Sequence, residues 1–178
     1  MSGKITPVKP GDILDSGGNS EVNPRTVILE LPGRQPRVFT ELVLDFTGTL
    51  SLDGSLLPGV SERLQQLAEH LRITVLTADT FGTAIAQLEG LPVEVRLVQN
   101  GKDKADVLRM MNSEKVIAIG NGLNDMPMLE VAGLGIAVIG PEGAVGALLR
   151  AAEVVVCDIR DALNLLLHPL RLKATLRD

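Results

Sequence analysis

Short apolar runs alternate with stretches of helical periodicity along most of the chain. These runs are rich in β-branched residues and predict seven strands, at residues 26–31, 37–46, 73–78, 93–98, 115–120, 135–140 and 153–158. Most are apolar throughout rather than alternating, which is typical of strands covered on both faces. The pattern therefore predicts an α/β fold of three layers, built on a doubly wound and mainly parallel sheet.

The first two predicted strands flank the turn sequence PGRQP, which indicates an N-terminal β-hairpin running into a central strand. Upstream, the Gly, Pro, Ser and charged residues of 1–25 predict a flexible tail, with no apolar block of the signal-peptide kind. Residues 26–178 show no linker or repeat and are expected to form one domain. Ser61 is expected to cap the helix after the central strand, and the closing helix is expected to break near Pro169.

Composition excludes several classes of function. Aromatic residues make up 2% of the 178 residues and hydrophobic residues 45%, so the core is expected to be aliphatic and a base-stacking surface is not expected. The net charge of −5 further argues against a nucleic-acid partner. No apolar run approaches the roughly 20 residues that cross a bilayer, so no membrane partner is expected. The single cysteine, Cys157, favours a reducing, cytoplasmic location and follows an apolar run that predicts a core position.

Polar residues stand where the predicted strands end and the next helices begin. Asp45 ends the central strand in LVLDFTGTL, Thr77 ends the following strand, and Lys104 opens a helix. Asn124 and Asp125 begin another helix after the strand KVIAIG. In a doubly wound sheet the ligand crevice lies beyond the carboxyl ends of the strands, so these side chains are expected to converge. A lysine and a helix N-terminus suit a phosphate, while carboxylate and amide oxygens suit Mg²⁺.

The order of these motifs resembles the haloacid-dehalogenase superfamily, and within it the phosphorylation domain of P-type ATPases and its small soluble relatives. DFTGTL is similar to that group's D-K-T-G-T-L, LTAD to its T-G-D, and GNGLNDMPML to its G-D-G-x-N-D, with Lys104 as the motif lysine. The resemblance extends from about Val27 to the C-terminus. It implies a Rossmann-like, haloacid-dehalogenase-like fold and a Mg²⁺-dependent phosphatase that works through an aspartyl phosphate.

The resemblance also implies catalytic roles for individual residues. Asp45 would be the nucleophile, and Thr77, with Ala78 beside it, would bind the transferring phosphoryl group. Lys104 would neutralise charge on that group and on Asp45. The expected substrate is a phosphorylated small molecule or protein. Phosphoryl transfer depends mostly on positioning and charge neutralisation, which is what such residues supply.

A Mg²⁺ site is implied in the same way. The carboxylates of Asp45 and Asp125, the backbone carbonyl of Thr47 and the side-chain oxygen of Asn121 would hold the ion. Asn124 would lie against the substrate. The ligand types agree with the preference of Mg²⁺ for oxygen.

Two positions depart from the pattern of most phosphatases in the superfamily. Thr47 stands where most carry a proton-transferring Asp, and Asn121 stands where Asp is usual. Threonine does not exchange protons usefully near neutral pH, so a slow enzyme is expected. Asparagine is neutral and a poorer Mg²⁺ ligand than aspartate, so weak Mg²⁺ binding is also expected. The same departures favour an alternative, a non-catalytic module that binds a phosphate or a partner. A receiver-type signalling domain needs an acidic pair on an earlier strand, where the chain has only the isolated Glu30 and Glu41.

The spacing between motifs predicts a fold without a cap. Neither the segment from Thr49 to Thr77 nor that from Thr77 to Lys104 is long enough for a cap domain. An open crevice suits a bulky substrate, or a second subunit that serves as a lid. The N-terminal hairpin offers an apolar strand that favours a homo-oligomer, and a hairpin folded onto its own domain is the alternative.

Overall fold

The computed structural model describes residues 25–177. The strands are β1 Val27–Leu29, β2 Arg37–Phe39, β3 Glu41–Leu44, β4 Ser51–Leu52, β5 Ser55–Leu56, β6 Arg72–Thr77, β7 Glu94–Leu97, β8 Val116–Gly120, β9 Leu134–Val138 and β10 Val154–Val156. The helices are α1 Val60–Leu67, α2 Ala84–Gln87, α3 Gly101–Met110, α4 Met126–Val131, α5 Leu148–Ala151, α6 Ile159–Leu167 and α7 Pro169–Leu176. Short 3₁₀ turns precede β8 and α4.

A six-stranded parallel sheet forms the centre of the fold, in the order β10-β9-β8-β3-β6-β7. Leu42 and Leu44 of β3 pack in one core cluster with α1 and α6, whereas Val43 packs in a second cluster with α3 and α4. Successive side chains of a strand point to opposite faces, so an apolar strand needs helices on both sides. The predicted three-layer, doubly wound α/β fold is confirmed.

The predicted N-terminal hairpin is present, with β1 and β2 paired antiparallel in a small sheet of their own. The expected strand over residues 37–46 is interrupted, because the chain passes from this small sheet into the central one at Thr40. Val27, Leu29 and Phe39 bury the inner face of the hairpin in the core, while Ile28 is 51% exposed on the outer face. The inner face is thus covered by the rest of the same chain.

Two local expectations are wrong. Helix α1 begins after Gly59, which adopts the left-handed conformation at φ 81°, and Ser61 lies inside the helix, where its hydroxyl donates to Glu62. Cys157 is exposed, because β10 is an edge strand along which burial alternates from the buried Val154 outward. The closing helix does break next to Pro169, between α6 and α7, as expected.

Two remaining expectations concern the ends of the chain and the membrane. The predicted flexible tail, residues 1–25, lies outside the described part of the chain except for Arg25. Among residues 25–177, no helix combines the length and the apolar character needed to cross a bilayer.

Candidate active site

The central strand β3 and its two neighbours present their carboxyl ends at one edge of the sheet. Leu44 of β3 lies opposite Val75 of β6 and Ile119 of β8. Asp45 therefore emerges between the ends of β6 and β8, and its backbone N–H donates to the Ile119 carbonyl at 3.0 Å. The sequence predicted this convergence at the strand ends, and the sheet order brings it about.

Lys104 joins two carboxylates at this edge. Its Nζ lies 2.6 Å from Oδ1 of Asp45 and 2.7 Å from Oδ1 of Asp125. All three side chains are buried, with Lys104 and Asp125 at 0% exposure. A capping box between Asn100 and Asp103 fixes the start of α3, the helix that carries the lysine. The arrangement contains one positive and up to two negative charges in a largely dry environment.

Burial and the neighbouring charges change the pKa values of Asp45 and Lys104. Burial, followed by repulsion from Asp125, raises the pKa of Asp45 from 3.8 to about 7. Burial acts to lower the pKa of Lys104, but the attraction of Asp45 and Asp125 outweighs it, so that pKa is raised. One ammonium does not fully neutralise two carboxylates. The cluster can therefore accept a further cation.

Asp125 is held in place by backbone donors of the sequence GNG. Its Oδ2 accepts hydrogen bonds from the N–H groups of Asn121, at 3.0 Å, and Gly122, at 2.9 Å. A Cβ atom at Gly120 would lie 2.5 Å from Cγ of Asp125, so only glycine allows the carboxylate this close to the strand end. The second acidic group of the site is thus rigidly positioned.

Asn121 connects two loops. Its Oδ1 accepts a hydrogen bond from the Thr49 hydroxyl at 3.1 Å, and its Nδ2 donates to the Gly143 carbonyl at 3.0 Å. A carboxylate could accept from Thr49 but could not donate to Gly143. The asparagine that departs from the usual acidic residue therefore has a specific bonding role in this protein.

The turn after Asp45 is tightly built. Gly48 adopts φ 74°, and a Cβ atom there would lie 2.5 Å from Nδ2 of Asn121, so both its conformation and its surroundings require glycine. Within residues 25–177, the buried hydroxyl of Thr47 has no hydrogen-bond partner. Buried polar atoms are normally satisfied, so this hydroxyl indicates a place where a bound group or water completes the site.

Thr77, Ala78 and Asn124 lie around the same edge with less direct connections. Thr77 is buried, and its hydroxyl accepts from the backbone N–H of Asp79 at 2.9 Å. Ala78 and Asn124 are exposed. Within the described residues, no hydrogen bond links these three to the Asp45–Lys104–Asp125 cluster.

A loop that sequence reasoning missed also reaches the site. Residues 140–143, Gly-Pro-Glu-Gly, follow β9 and form a turn in which Gly143 N–H donates to Gly140 O at 2.8 Å. Glu142 on this turn accepts the backbone N–H of Asp53 through Oε1, at 2.9 Å. Asp53 is at the tip of the small β4–β5 hairpin, the short segment between the turn after Asp45 and α1. A Pro-Glu pair between glycines directly after a predicted strand was the signal available in the sequence.

Comparison with known proteins identifies the family. The sequence profile of the haloacid dehalogenase-like hydrolases matches residues 61–155, which is more than half of the chain. The chain belongs to the haloacid dehalogenase-like hydrolases. The resemblance inferred from the motifs is thereby confirmed, although the matched segment begins after Asp45.

Individual relatives of this haloacid dehalogenase-like hydrolase share its sequence or its fold. The uncharacterised protein MJ0073 of Methanocaldococcus jannaschii is 56% identical over 66 residues, which cover 37% of this chain and 71% of that protein. The 3-deoxy-D-manno-octulosonate 8-phosphate phosphatase of Moraxella catarrhalis, solved with magnesium, phosphate and its sugar, is 17% identical. Its TM-score is 0.62, with 72% of this chain and 86% of that chain covered.

The catalytic domain of the CPx-ATPase CopB-B shares the fold as well. It is 25% identical to this hydrolase, with a TM-score of 0.54, and the match covers 62% of this chain and 45% of the ATPase chain. The family thus includes folds of this kind both as small separate proteins and as domains of larger ones.

Proposed function

We propose that this haloacid dehalogenase-like hydrolase is a magnesium-dependent phosphatase that cleaves a phosphomonoester through an aspartyl phosphate on Asp45. The observation that carries the proposal is the contact of Lys104 Nζ with both Asp45 and Asp125. At the end of the central strand, this contact brings together a carboxylate that can act as the nucleophile, Asp45, and a fixed positive charge, the buried Lys104. Phosphoryl transfer depends on such charge neutralisation.

The chemistry requires few groups. Lys104 contacts Oδ1 of Asp45, and Oδ2 of Asp45 is the oxygen assigned to attack phosphorus. The bond from phosphorus to the leaving oxygen then breaks, and the phosphoryl group remains on Asp45. Thr77, at the end of the neighbouring strand, is assigned to bind the phosphoryl oxygens, with Ala78 and Asn124 at the opening. Attack by water returns Asp45 and releases inorganic phosphate.

The residues of the site fit Mg²⁺. Asp45 and Asp125 offer carboxylate oxygens, Asn121 an amide oxygen and Thr47 a backbone carbonyl, all ligands that Mg²⁺ prefers. The cluster contains two carboxylates and one ammonium, and this imbalance favours an added cation. When bound, the ion supplies positive charge against the phosphoryl oxygens. The Moraxella catarrhalis phosphatase that shares the fold was solved with magnesium and phosphate, which supports this assignment.

Thr47 limits the rate in this proposal. An Asp at this position would protonate the leaving oxygen and later activate water, and acid–base help of this kind is worth about 10² to 10⁴ in rate. If no other group transfers the proton, the enzyme should be slow, should accumulate phosphoenzyme, and should cleave activated aryl phosphates faster than alkyl phosphates. The open edge suits either a phosphorylated small molecule or a phosphorylated protein.

The test is a panel of phosphate monoesters assayed with Mg²⁺ and with EDTA, together with acid-quench trapping of the phosphoenzyme. We expect turnover that requires metal and is abolished in Asp45→Asn, whereas Asp106→Asn, which changes an exposed carboxylate on α3, should behave as wild type. Thr47→Asp should narrow the difference between aryl and alkyl substrates and shorten the life of the phosphoenzyme. Turnover that survives Asp45→Asn would contradict the nucleophile assignment.

A second candidate function is a non-catalytic module that binds phosphate or a partner. The observation that favours it is the use of both amide atoms of Asn121 in bonds to Thr49 and Gly143, since these bonds hold the loops together without a metal. This candidate predicts phosphate or phosphate-analogue binding by calorimetry with no turnover on any ester. Turnover that persists in Asp45→Asn without a trappable phosphoenzyme would exclude both candidates.

A further inference from the structure

The Gly140–Gly143 loop contacts the turn after Asp45, at Gly48. A Cβ atom at Gly140 would lie 2.8 Å from the carbonyl oxygen of Gly48, so the two backbones are in close contact. Asn121 holds this loop in place through two hydrogen bonds. Its side-chain Nδ2 donates to the Gly143 carbonyl, and its backbone carbonyl accepts from Val145 N–H at 3.0 Å. The loop is therefore positioned by backbone contacts and not by solvent-exposed side chains alone.

This loop brings the carboxylate of Glu142 to the residue that follows Thr47. Oε2 of Glu142 lies 3.2 Å from the place that a Cβ atom of Gly48 would occupy. The other oxygen, Oε1, is fixed by the backbone N–H of Asp53. Within residues 25–177, no hydrogen bond reaches Oε2, and the side chain is exposed to solvent. One carboxylate oxygen is thus anchored, while the other lies beside Gly48 with no hydrogen-bond partner among the described residues.

We propose that Glu142 is a catalytic residue that supplies the proton transfer which Thr47 cannot, an inference that rests on the proposed phosphatase function. In the first step, Oδ2 of Asp45 bonds to phosphorus, the ester bond breaks, and the Glu142 carboxylic acid gives its proton to the leaving oxygen. In the second step, the Glu142 carboxylate takes a proton from water as the water oxygen bonds to phosphorus and the bond to Asp45 breaks. Glu142 is then protonated again, and inorganic phosphate leaves.

Glu142→Gln is the decisive variant, because its amide oxygen can still accept from Asp53 N–H and the loop stays anchored. Glycerol phosphate, an alkyl ester, and para-nitrophenyl phosphate, an activated ester, separate the two roles. We expect kcat/KM on glycerol phosphate to fall at least about 10-fold, and the hydrolysis of trapped phosphoenzyme to slow comparably. The kcat/KM on para-nitrophenyl phosphate should stay within about threefold of wild type, because that leaving group needs little protonation.

The control for the charge change is Glu130→Gln, an exposed position on α4, which should alter neither substrate. The Thr47→Asp background gives a second test, since an acid at position 47 should make Glu142 dispensable and shrink the effect of Glu142→Gln. Groups that act in one step show such non-additivity, whereas a purely structural loss would persist in both backgrounds.

Each outcome is decisive. Equal losses on both esters would make Glu142 a positioning residue and overturn its catalytic role, and no loss on glycerol phosphate would overturn it as well. In either case, activity that depends on Asp45 would leave the proposed phosphatase function standing. A wild-type protein inactive on every ester would overturn the proposed function and this inference together.

Discussion

Replacing Asp45 with asparagine should make the metal-free protein more stable, and increasingly so as the pH rises. In Asp45→Asn the amide oxygen can still accept from Lys104, but one of two closely spaced buried negative charges is removed. The cluster then contains one lysine and one carboxylate instead of one lysine and two carboxylates. Whether replacing an active-site residue raises or lowers stability is normally not predictable. Here an increase is expected, because the substitution removes one of two closely spaced buried negative charges.

The magnitude follows from the pKa of Asp45, which burial and then Asp125 raise from 3.8 to about 7. A carboxyl whose pKa is higher in the folded protein than in the unfolded chain contributes stability that is present in full below the unfolded pKa. That contribution is lost as the pH rises through the folded pKa. Between pH 5 and pH 8, the wild type should therefore lose about 2 to 3 kcal/mol of stability through this group. The Asp45→Asn variant does not lose this stability. Its free energy of unfolding relative to that of the wild type should therefore rise by the same amount between pH 5 and pH 8.

Urea unfolding of both proteins in EDTA at pH 5 and pH 8 measures the difference directly. Asp106→Asn, which removes an exposed carboxylate paired with Arg109, is the matched control and should change stability by less than about 1 kcal/mol at both pH values. Added Mg²⁺ should stabilise the wild type at pH 8 more than it stabilises Asp45→Asn. A stability difference between wild type and Asp45→Asn that does not change with pH would refute the reasoning.

Three further predictions test other parts of the structure. Lys104→Met should destabilise the metal-free protein at pH 8 by about 3 to 5 kcal/mol in urea unfolding, because it leaves buried carboxylates without a counter-charge. Asn121→Asp should lower the Mg²⁺ concentration for half-maximal activity while weakening the loop through its lost bond to Gly143, and unchanged metal dependence would place residue 121 outside the metal site. Ile28→Lys, on the outer face of the hairpin, should lower the molar mass measured by light scattering if that face joins two copies, and an unchanged mass would discard that interface.

Much of the fold was predictable because its signals are local. Apolar runs without alternation indicated strands covered on both faces, and the sheet order then brought Asp45 and Thr77 to one edge. The resemblance implied that Lys104 would neutralise Asp45, whereas its second contact, with Asp125, was not predicted. The errors at Ser61 and Cys157 arose from context that a local pattern does not contain, namely a left-handed glycine before α1 and the edge position of β10.

The contact of the Gly140–Gly143 loop with the turn after Asp45 could not be predicted, and the reason is different. The turn after Asp45 and the Gly140–Gly143 loop are distant in sequence and meet only through tertiary packing, with Gly140 against the carbonyl of Gly48. The sequence showed Asn121 only as a departure from an acidic pattern, because the bond from its amide to Gly143 joins two loops. Glu142 had no periodicity or spacing that linked it to Asp45. Close contacts between loops are set by backbone geometry, which motif spacing does not report.

The three unusual residues of the site are better understood together than as separate losses. Decay of a once active site would leave Thr47 and Asn121 as independent substitutions with no structural consequence. Instead, Asn121 uses the one property that an aspartate lacks, an N–H donor, to hold the loop that carries Glu142 over the turn beside Thr47. Because Gly48 has no side chain, Asn121 and Glu142 can both lie next to it. A neutral residue at 121, a hydroxyl at 47 and a carboxylate at 142 thus belong to one arrangement, and the proposed acid–base role of Glu142 would place that group on a neighbouring loop rather than on the turn after Asp45.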